Sequence, residues 1–111
     1  MTRYTKVENG VTMVAVLYSP GYGSGWYTWN TEYPDLVFEP KVVEWVLNGK
    51  PETQLIDLEN YLSETYPDIY IGSNLEKLCI EWVPEGTAIR IFEYDGNEAV
   101  QCRDKMDWIV T

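Results

Sequence analysis

Residues 19–30 bring glycine and aromatic side chains together within twelve positions of this 111-residue chain. Three of the eight glycines and four of the sixteen aromatic residues lie there. Glycine reaches positive φ and lets the backbone approach a ligand closely, while aromatic rings stack on flat groups or anchor protein interfaces. We therefore take residues 21–30, the glycine–aromatic loop, as the candidate binding element. Its candidate contact residues are Tyr22, Gly23, Ser24, Gly25, Trp26, Trp29 and Asn30.

The glycine spacing does not match two common nucleotide-binding motifs. A dinucleotide-binding turn spaces its glycines G-x-G-x-x-G and leads into a helix, whereas here the third glycine comes one position early and is followed by residues that favour a strand. A P-loop requires Gly-Lys-Ser/Thr, which the chain lacks. Two interpretations of the loop stay open. It is a binding element, since function concentrates on loops, or a structural corner whose Trp26 and Trp29 pack into the core.

Catalytic and metal-binding patterns are sparse. The chain has no histidine, so the commonest general base is missing and neither a Ser-His nor a Cys-His pair can form. The two cysteines lie 23 positions apart, which does not make a zinc site, and residues 95–98 resemble a hairpin turn more than a calcium loop. We predict a protein that is not an enzyme and uses no cofactor or metal. A hydrolase with carboxylate-bound Mg²⁺ is the alternative that the 18 acidic residues leave open.

Charge is unevenly distributed along the chain. The net charge is −10, and residues 32–111 carry 17 acidic against six basic residues. Such a domain is repelled by nucleic acid and by anionic membranes, and it is attracted to proteins with basic surfaces. The alternative is that the acidic residues serve only solubility. No apolar run is long enough for a membrane span, and the N-terminus lacks a signal-peptide core. We therefore expect a cytoplasmic protein whose Cys79 and Cys102 are reduced thiols.

The order of elements predicts a single α+β domain over residues 1–111, with an antiparallel sheet and a two-helix hairpin packed on one face. Residues 2–7 and 11–18 favour strands and flank Asn9-Gly10, the strongest signal for a two-residue hairpin turn. The predicted helices span residues 41–47 and 52–66, where apolar side chains recur every three or four positions.

The remaining predicted elements are strands. They cover residues 26–30, 69–71, 78–83, 87–94, 98–102 and 106–110, with Asp95-Gly96 as a second tight turn. Three tryptophans in periodic segments are predicted to lie in the core, namely Trp45, Trp82 and Trp108.

Two segments resemble a group of small uncharacterised phage and prophage proteins. The first is residues 22–30, YGSGWYTWN, and the second is residues 83–96, VPEGTAIRIFEYDG. They are similar to a GYGxGWxTWN loop and a VPxGTxFRIxEYDG hairpin that those proteins share, in the same order. Together they cover about a quarter of the chain, and Ile89 departs from the second motif, where an aromatic residue is expected. The resemblance implies a phage or mobile-element origin and a location in the host cytoplasm, with no established activity.

Phage proteins of this size and charge resemble anti-defence factors in kind. We rank first a non-enzymatic inhibitor whose acidic surface blocks a host nucleic-acid-binding defence protein, as some anti-CRISPR proteins do. A second hypothesis is that the glycine–aromatic loop sequesters a small nucleotide signal, with a homo-oligomer interface as one arrangement. A third is a virion or assembly accessory protein. All three exclude direct binding to nucleic acid or membrane.

Overall fold

The computed structural model describes residues 3–102 and confirms the α+β class. Helices and antiparallel strands both occur in this part of the chain. The strands are β1 (Thr5–Glu8), β2 (Val11–Tyr18), β3 (Cys79–Pro84), β4 (Ile89–Tyr94) and β5 (Asn97–Cys102). The α-helices are α1 (Pro40–Leu47), α2 (Leu55–Thr65) and α3 (Asn74–Lys77), and 3-10 turns form at Pro34–Phe38 and Glu52–Gln54.

Strands β1, β2 and β3 form a three-stranded antiparallel sheet with β2 in the centre. The β1–β2 connection is the predicted two-residue turn, because Asn9 and Gly10 both adopt positive φ, at 51° and 78°. This turn fixes the register in which Glu8 faces Val11, so the hairpin predicted from the sequence is confirmed.

Strand β2 is buried on both faces of this sheet. Ala15 and Leu17 pack in a cluster with the buried side chains of α1 and α2. Val14 and Val16 point to the opposite face and pack in a second cluster with Val37. Successive side chains of a strand point to opposite faces, so four consecutive buried residues mean that both faces of β2 are covered. Helices cover one face and other elements cover the other.

The helices α1 and α2 pack in the same core cluster as the sheet through their apolar side chains. Val42 and Val43 of α1 and Leu58 and Leu62 of α2 belong to the cluster that contains Ala15. Pro40 begins α1, where its missing N–H is not needed. Both helices therefore contribute to one core, while the predicted packing of the two helices as a hairpin stays a prediction.

Four strand predictions differ from the structure or lie beyond it. Strands β4 and β5 form a separate two-stranded ribbon rather than part of one sheet. Residues 26–30 form turns and residues 69–71 are not strand, because the Asn30 side chain bonds to backbone groups of both segments in place of a neighbouring strand. The strand predicted at residues 106–110 lies outside the described residues.

The predicted core tryptophans are confirmed only in part. Trp45 is buried, and Trp82 is partly buried and packs against the same core as Trp45. Trp108 lies outside the described residues. No helix in residues 3–102 has the length and apolar character that crossing a membrane requires.

Candidate functional site

The glycine–aromatic loop is held from inside by a buried carboxylate. Glu98 of β5 is 2% exposed and accepts hydrogen bonds from the Ser19 N–H at 2.8 Å, from the Thr28 N–H at 3.0 Å and from the Thr28 hydroxyl at 2.7 Å. A buried charge requires such partners. The segment that leads into the loop and the second half of the loop are therefore both fixed to β5.

Two buried amides complete this polar network. Asn74 accepts from the Ser19 and Ser24 hydroxyls and donates to the Gly25 carbonyl at 2.8 Å. Asn30 donates to the Trp26 carbonyl and exchanges two hydrogen bonds with the backbone of Tyr70. Each amide satisfies backbone groups that a loop cannot pair by itself, so Asn74 and Asn30 act as internal supports of the loop.

The glycines of the loop allow close contact within the chain. A methyl group added at Gly25 would meet the Thr28 hydroxyl, lie 2.9 Å from Cδ1 of Trp29 and lie 3.0 Å from the Glu98 carboxylate. The Gly23 N–H donates to the Asp95 carbonyl at 3.1 Å, so the loop backbone packs on the β4–β5 turn. The space at Gly25 is thus filled by the protein itself, whereas a methyl group at Gly21 would meet nothing within 4 Å.

Four of the seven candidate contact residues are buried. Trp26 is fully buried, and its Nε1 donates to the Leu36 carbonyl at 2.9 Å. Ser24, Gly25 and Asn30 are also buried. A partner cannot reach these side chains in the folded protein, so they support the loop. The exposed candidates are Tyr22, Gly23 and Trp29.

Each exposed aromatic residue of the loop pairs with an aromatic residue from elsewhere in the chain. Tyr22 lies edge-on to Tyr94, with ring centroids 6.5 Å apart, and Trp29 lies 5.5 Å from Tyr70. All four rings are at least 45% exposed. Tyr70 and Tyr94 are not among the site residues predicted from the sequence. Tyr94 precedes the predicted turn Asp95-Gly96 and could have been included for that reason, whereas no sequence signal links Tyr70 to the loop.

A second candidate site lies on the helical segment. We call it the acidic helical surface, and it consists of exposed carboxylates that make no ion pair with any described residue. Its members are Glu32, Asp35, Glu44, Glu52, Asp57, Glu64 and Asp68. The single ion pair within residues 3–102 joins Lys6 and Glu8.

The two lysines of this segment are engaged by other groups. The Lys41 ammonium lies 4.2 Å from the ring centroid of Tyr61, a cation–π contact. The Lys50 ammonium donates to the Glu76 carbonyl at 2.6 Å. Neither forms an ion pair with the acidic helical surface, so its negative charge is open to an external partner.

A groove of about 390 Å³ opens within this surface between α1 and the start of α2. Trp45, Leu58 and Tyr61 contribute apolar surface, and Glu44 and Asp57 contribute two carboxylates. Lys41 also lines the groove, and its ammonium lies against the Tyr61 ring. A cationic side chain with an apolar stem matches such a lining.

Beneath the groove lies Glu39, a fully buried carboxylate. It accepts hydrogen bonds from the Tyr61 hydroxyl at 2.8 Å, from the Tyr66 hydroxyl and from the Lys41 N–H at 3.2 Å. Burial raises the pKa of Tyr66 well above the usual value, and the hydrogen bond from its hydroxyl to the negatively charged Glu39 raises that pKa further. The same causes raise the pKa of Tyr61. The two tyrosines hold their protons in the folded state to stabilise the carboxylate.

This cluster makes stability depend on alkaline pH. In the unfolded chain tyrosine loses its proton near pH 10. Above that pH the unfolded state binds fewer protons than the folded state, so the free energy of unfolding should fall by up to about 1.4 kcal/mol per pH unit for each retained tyrosine proton. Denaturant unfolding of the wild type and of Tyr66→Phe, measured at several pH values from 8 upward, tests this. We expect a shallower decline for Tyr66→Phe, and an equal decline in both proteins would contradict it.

Comparison with protein-family models, with curated proteins and with solved structures found no match to this chain. Within residues 3–102 no three histidine, cysteine, aspartate or glutamate side chains converge in a way that could hold a metal ion. The site is therefore interpreted from its own contacts and charges.

Proposed function

We propose that this protein is a non-enzymatic inhibitor that binds the basic nucleic-acid-binding surface of another protein through its acidic helical surface. The observation that carries the proposal is the set of seven exposed carboxylates on residues 32–68 that make no ion pair with any described residue. A basic surface that normally binds phosphates is complementary to such a face, and this complementarity speeds association and selects the partner.

The groove between α1 and α2 supplies the specific part of the contact. An arginine of the partner would lay its stem against the half-buried Tyr61 and direct its guanidinium to the exposed Glu44 and Asp57. Arginine is the residue most often used to bind phosphate and carboxylate in two-pronged geometry. Occupation of the groove by such an arginine would remove it from its nucleic acid.

The biological setting follows from the resemblance to phage proteins. A phage-encoded inhibitor would act in the host cytoplasm on a nucleic-acid-binding defence protein, in the manner of anti-CRISPR proteins. The polar network around Glu98 and Asn74 would then serve to hold the fold, while the helical surface makes the contact.

A second candidate function is the sequestration of a small nucleotide, supported by the exposed ring pairs Tyr22–Tyr94 and Trp29–Tyr70. Such rings can stack on a base. Cationic groups for phosphates are few, and the Lys77 ammonium is directed at the carbonyls of Tyr22 and Ser24, at 3.5 and 3.4 Å. We therefore rank this function second.

Charge reversal tests the proposal. To identify the target, this protein is produced in hosts that each carry one nucleic-acid-guided defence nuclease, and a phage that the nuclease targets is plated on them. Inhibition is then measured with the purified nuclease and labelled nucleic acid. We expect Glu44→Lys to weaken inhibition about tenfold or more, because it removes one of the two carboxylates of the groove and adds a second cation beside Lys41. We expect Glu85→Lys, an equal change in net charge at an exposed turn outside the groove, to stay within about twofold.

Salt dependence completes that experiment. Contact between an acidic and a basic surface should weaken steeply as NaCl is added, because the exposed charges are screened. Inhibition that is insensitive to salt and unchanged by Glu44→Lys would contradict the proposal.

A further inference from the structure

The β4–β5 ribbon has one edge that no described residue covers. Its two-residue turn pairs Tyr94 with Asn97, and in such a hairpin the closing pair and every second pair exchange backbone hydrogen bonds. Arg90, Phe92 and Tyr94 therefore pair with β5. The N–H and C=O groups of Ile89, Ile91 and Glu93 point away from β5, and none of them bonds to another backbone group in residues 3–102.

This edge lacks the proline protection that an edge of the other sheet has. Strand β3 carries Pro84 at a position where its backbone faces away from β2, and proline blocks the addition of a strand. At its three outward positions β4 has no proline, and the N–H groups there bond to no backbone group of residues 3–102. The side chains of Phe92 and Tyr94 share one face of β4, and they are 42% and 75% exposed. A six-residue edge of this kind favours pairing with another strand.

We propose that β4 is the interface between two copies of this chain, joined as an antiparallel β5–β4–β4–β5 sheet. The edge is complementary to a second copy of itself. When the two-fold axis passes beside Ile91, Ile91 faces Ile91 of the second copy, and Ile89 faces Glu93. All six outward N–H groups of the two strands then meet outward C=O groups of the other strand, and shifting the strands to a neighbouring two-fold register leaves some of them unpaired.

The side chains of the same register also match. Arg90 and Phe92 point to one face of β4, and within one chain the Arg90 guanidinium lies 5.3 Å from the centroid of the Phe92 ring. In the paired strands Arg90 lies directly opposite Phe92 of the second copy, so each cation also gains a ring across the interface. On the other face Ile91 meets its own copy beside a groove of about 440 Å³, which Phe38, Ile89 and Ile91 help to line.

A proline at the edge tests this interface in the full-length protein. Glu93→Pro removes one outward N–H from each copy and leaves the bonds between β4 and β5 in place, because the Glu93 N–H does not take part in them. The matched control is Glu93→Ala, which loses the same carboxylate and keeps the N–H. By sedimentation equilibrium over about 1 μM to 1 mM protein we expect the wild type and Glu93→Ala to form dimers. We expect Glu93→Pro to dimerise at least about tenfold more weakly.

Amide hydrogen exchange gives an independent measurement on the wild type, in case Glu93→Pro does not fold. The amides of Ile89, Ile91 and Glu93 should exchange more slowly as the protein concentration rises. The proposal is overturned if the wild type is monomeric throughout, or if Glu93→Pro is folded and dimerises as tightly as Glu93→Ala. Protection of the three amides that does not depend on concentration would also overturn it, because the edge would then be covered within one chain.

Discussion

Replacing Trp26 by alanine should cost about 4 kcal/mol of the free energy of unfolding, as is typical when a fully buried large aromatic side chain is removed. The ring is completely buried, and its Nε1 donates to the Leu36 carbonyl, so the change leaves both a cavity and an unpaired acceptor. A domain of this size has a total stability of roughly 5–15 kcal/mol. Denaturant unfolding followed by circular dichroism measures the loss.

Trp29→Ala is the matched control, since it removes the same side chain three positions later. Trp29 is 45% exposed and contacts Tyr70 at the surface, so we expect a loss of about 1 kcal/mol or less. Equal losses for the two variants would mean that Trp26 does not hold the core as its burial indicates.

Gly96→Ala should cost about 3 kcal/mol, because it combines an unfavourable backbone conformation with a collision. Gly96 has a φ of +82°, and a methyl group there would lie 2.5 Å from the carbonyl carbon of Gly23 and 2.9 Å from the Ser24 nitrogen. Both neighbours are backbone atoms, so the loop would have to move away from the β4–β5 turn. Thermal and denaturant unfolding of the purified variant give the cost.

Gly86→Ala separates the two contributions. Gly86 has a similar φ of +86°, but a methyl group there meets nothing within 4 Å. We expect it to cost about 1 kcal/mol, the conformational part alone. If Gly96→Ala is no more destabilising than Gly86→Ala, the contact between the turn and the loop is not as close as described.

Local chemistry explains which parts of the fold could be predicted from the sequence. The turn at Asn9-Gly10 needs positive φ at two adjacent residues, and only a few residue types tolerate this. The strand at Val11–Tyr18 and the helix that begins at Pro40 follow from equally local patterns. The separation of β4 and β5 from the sheet was not predictable in this way, because it depends on how distant elements pack.

The same distinction applies to the candidate sites. The sequence left two interpretations of the loop open, a binding element and a structural corner, and the structure uses Gly25 and Trp26 for internal packing while Trp29 is exposed. The reason is the network of Glu98, Asn74 and Asn30, whose hydrogen bonds to the loop or to Tyr70 span 40 to 70 positions of the chain. A single sequence does not reveal such long-range pairs. The acidity of the helical segment, by contrast, was visible as composition, and the structure adds that its carboxylates are exposed.

The central claim is that the acidic helical surface, rather than the glycine–aromatic loop, contacts the partner. Its most direct test is a titration of the isotope-labelled protein with the identified target, followed by backbone amide chemical shifts. We expect the largest changes at the groove residues Glu44, Trp45 and Asp57, with residues 21–30 nearly unchanged. Changes centred on Tyr22, Trp29 and Tyr94, with α1 and α2 unaffected, would contradict the claim and favour binding by the loop.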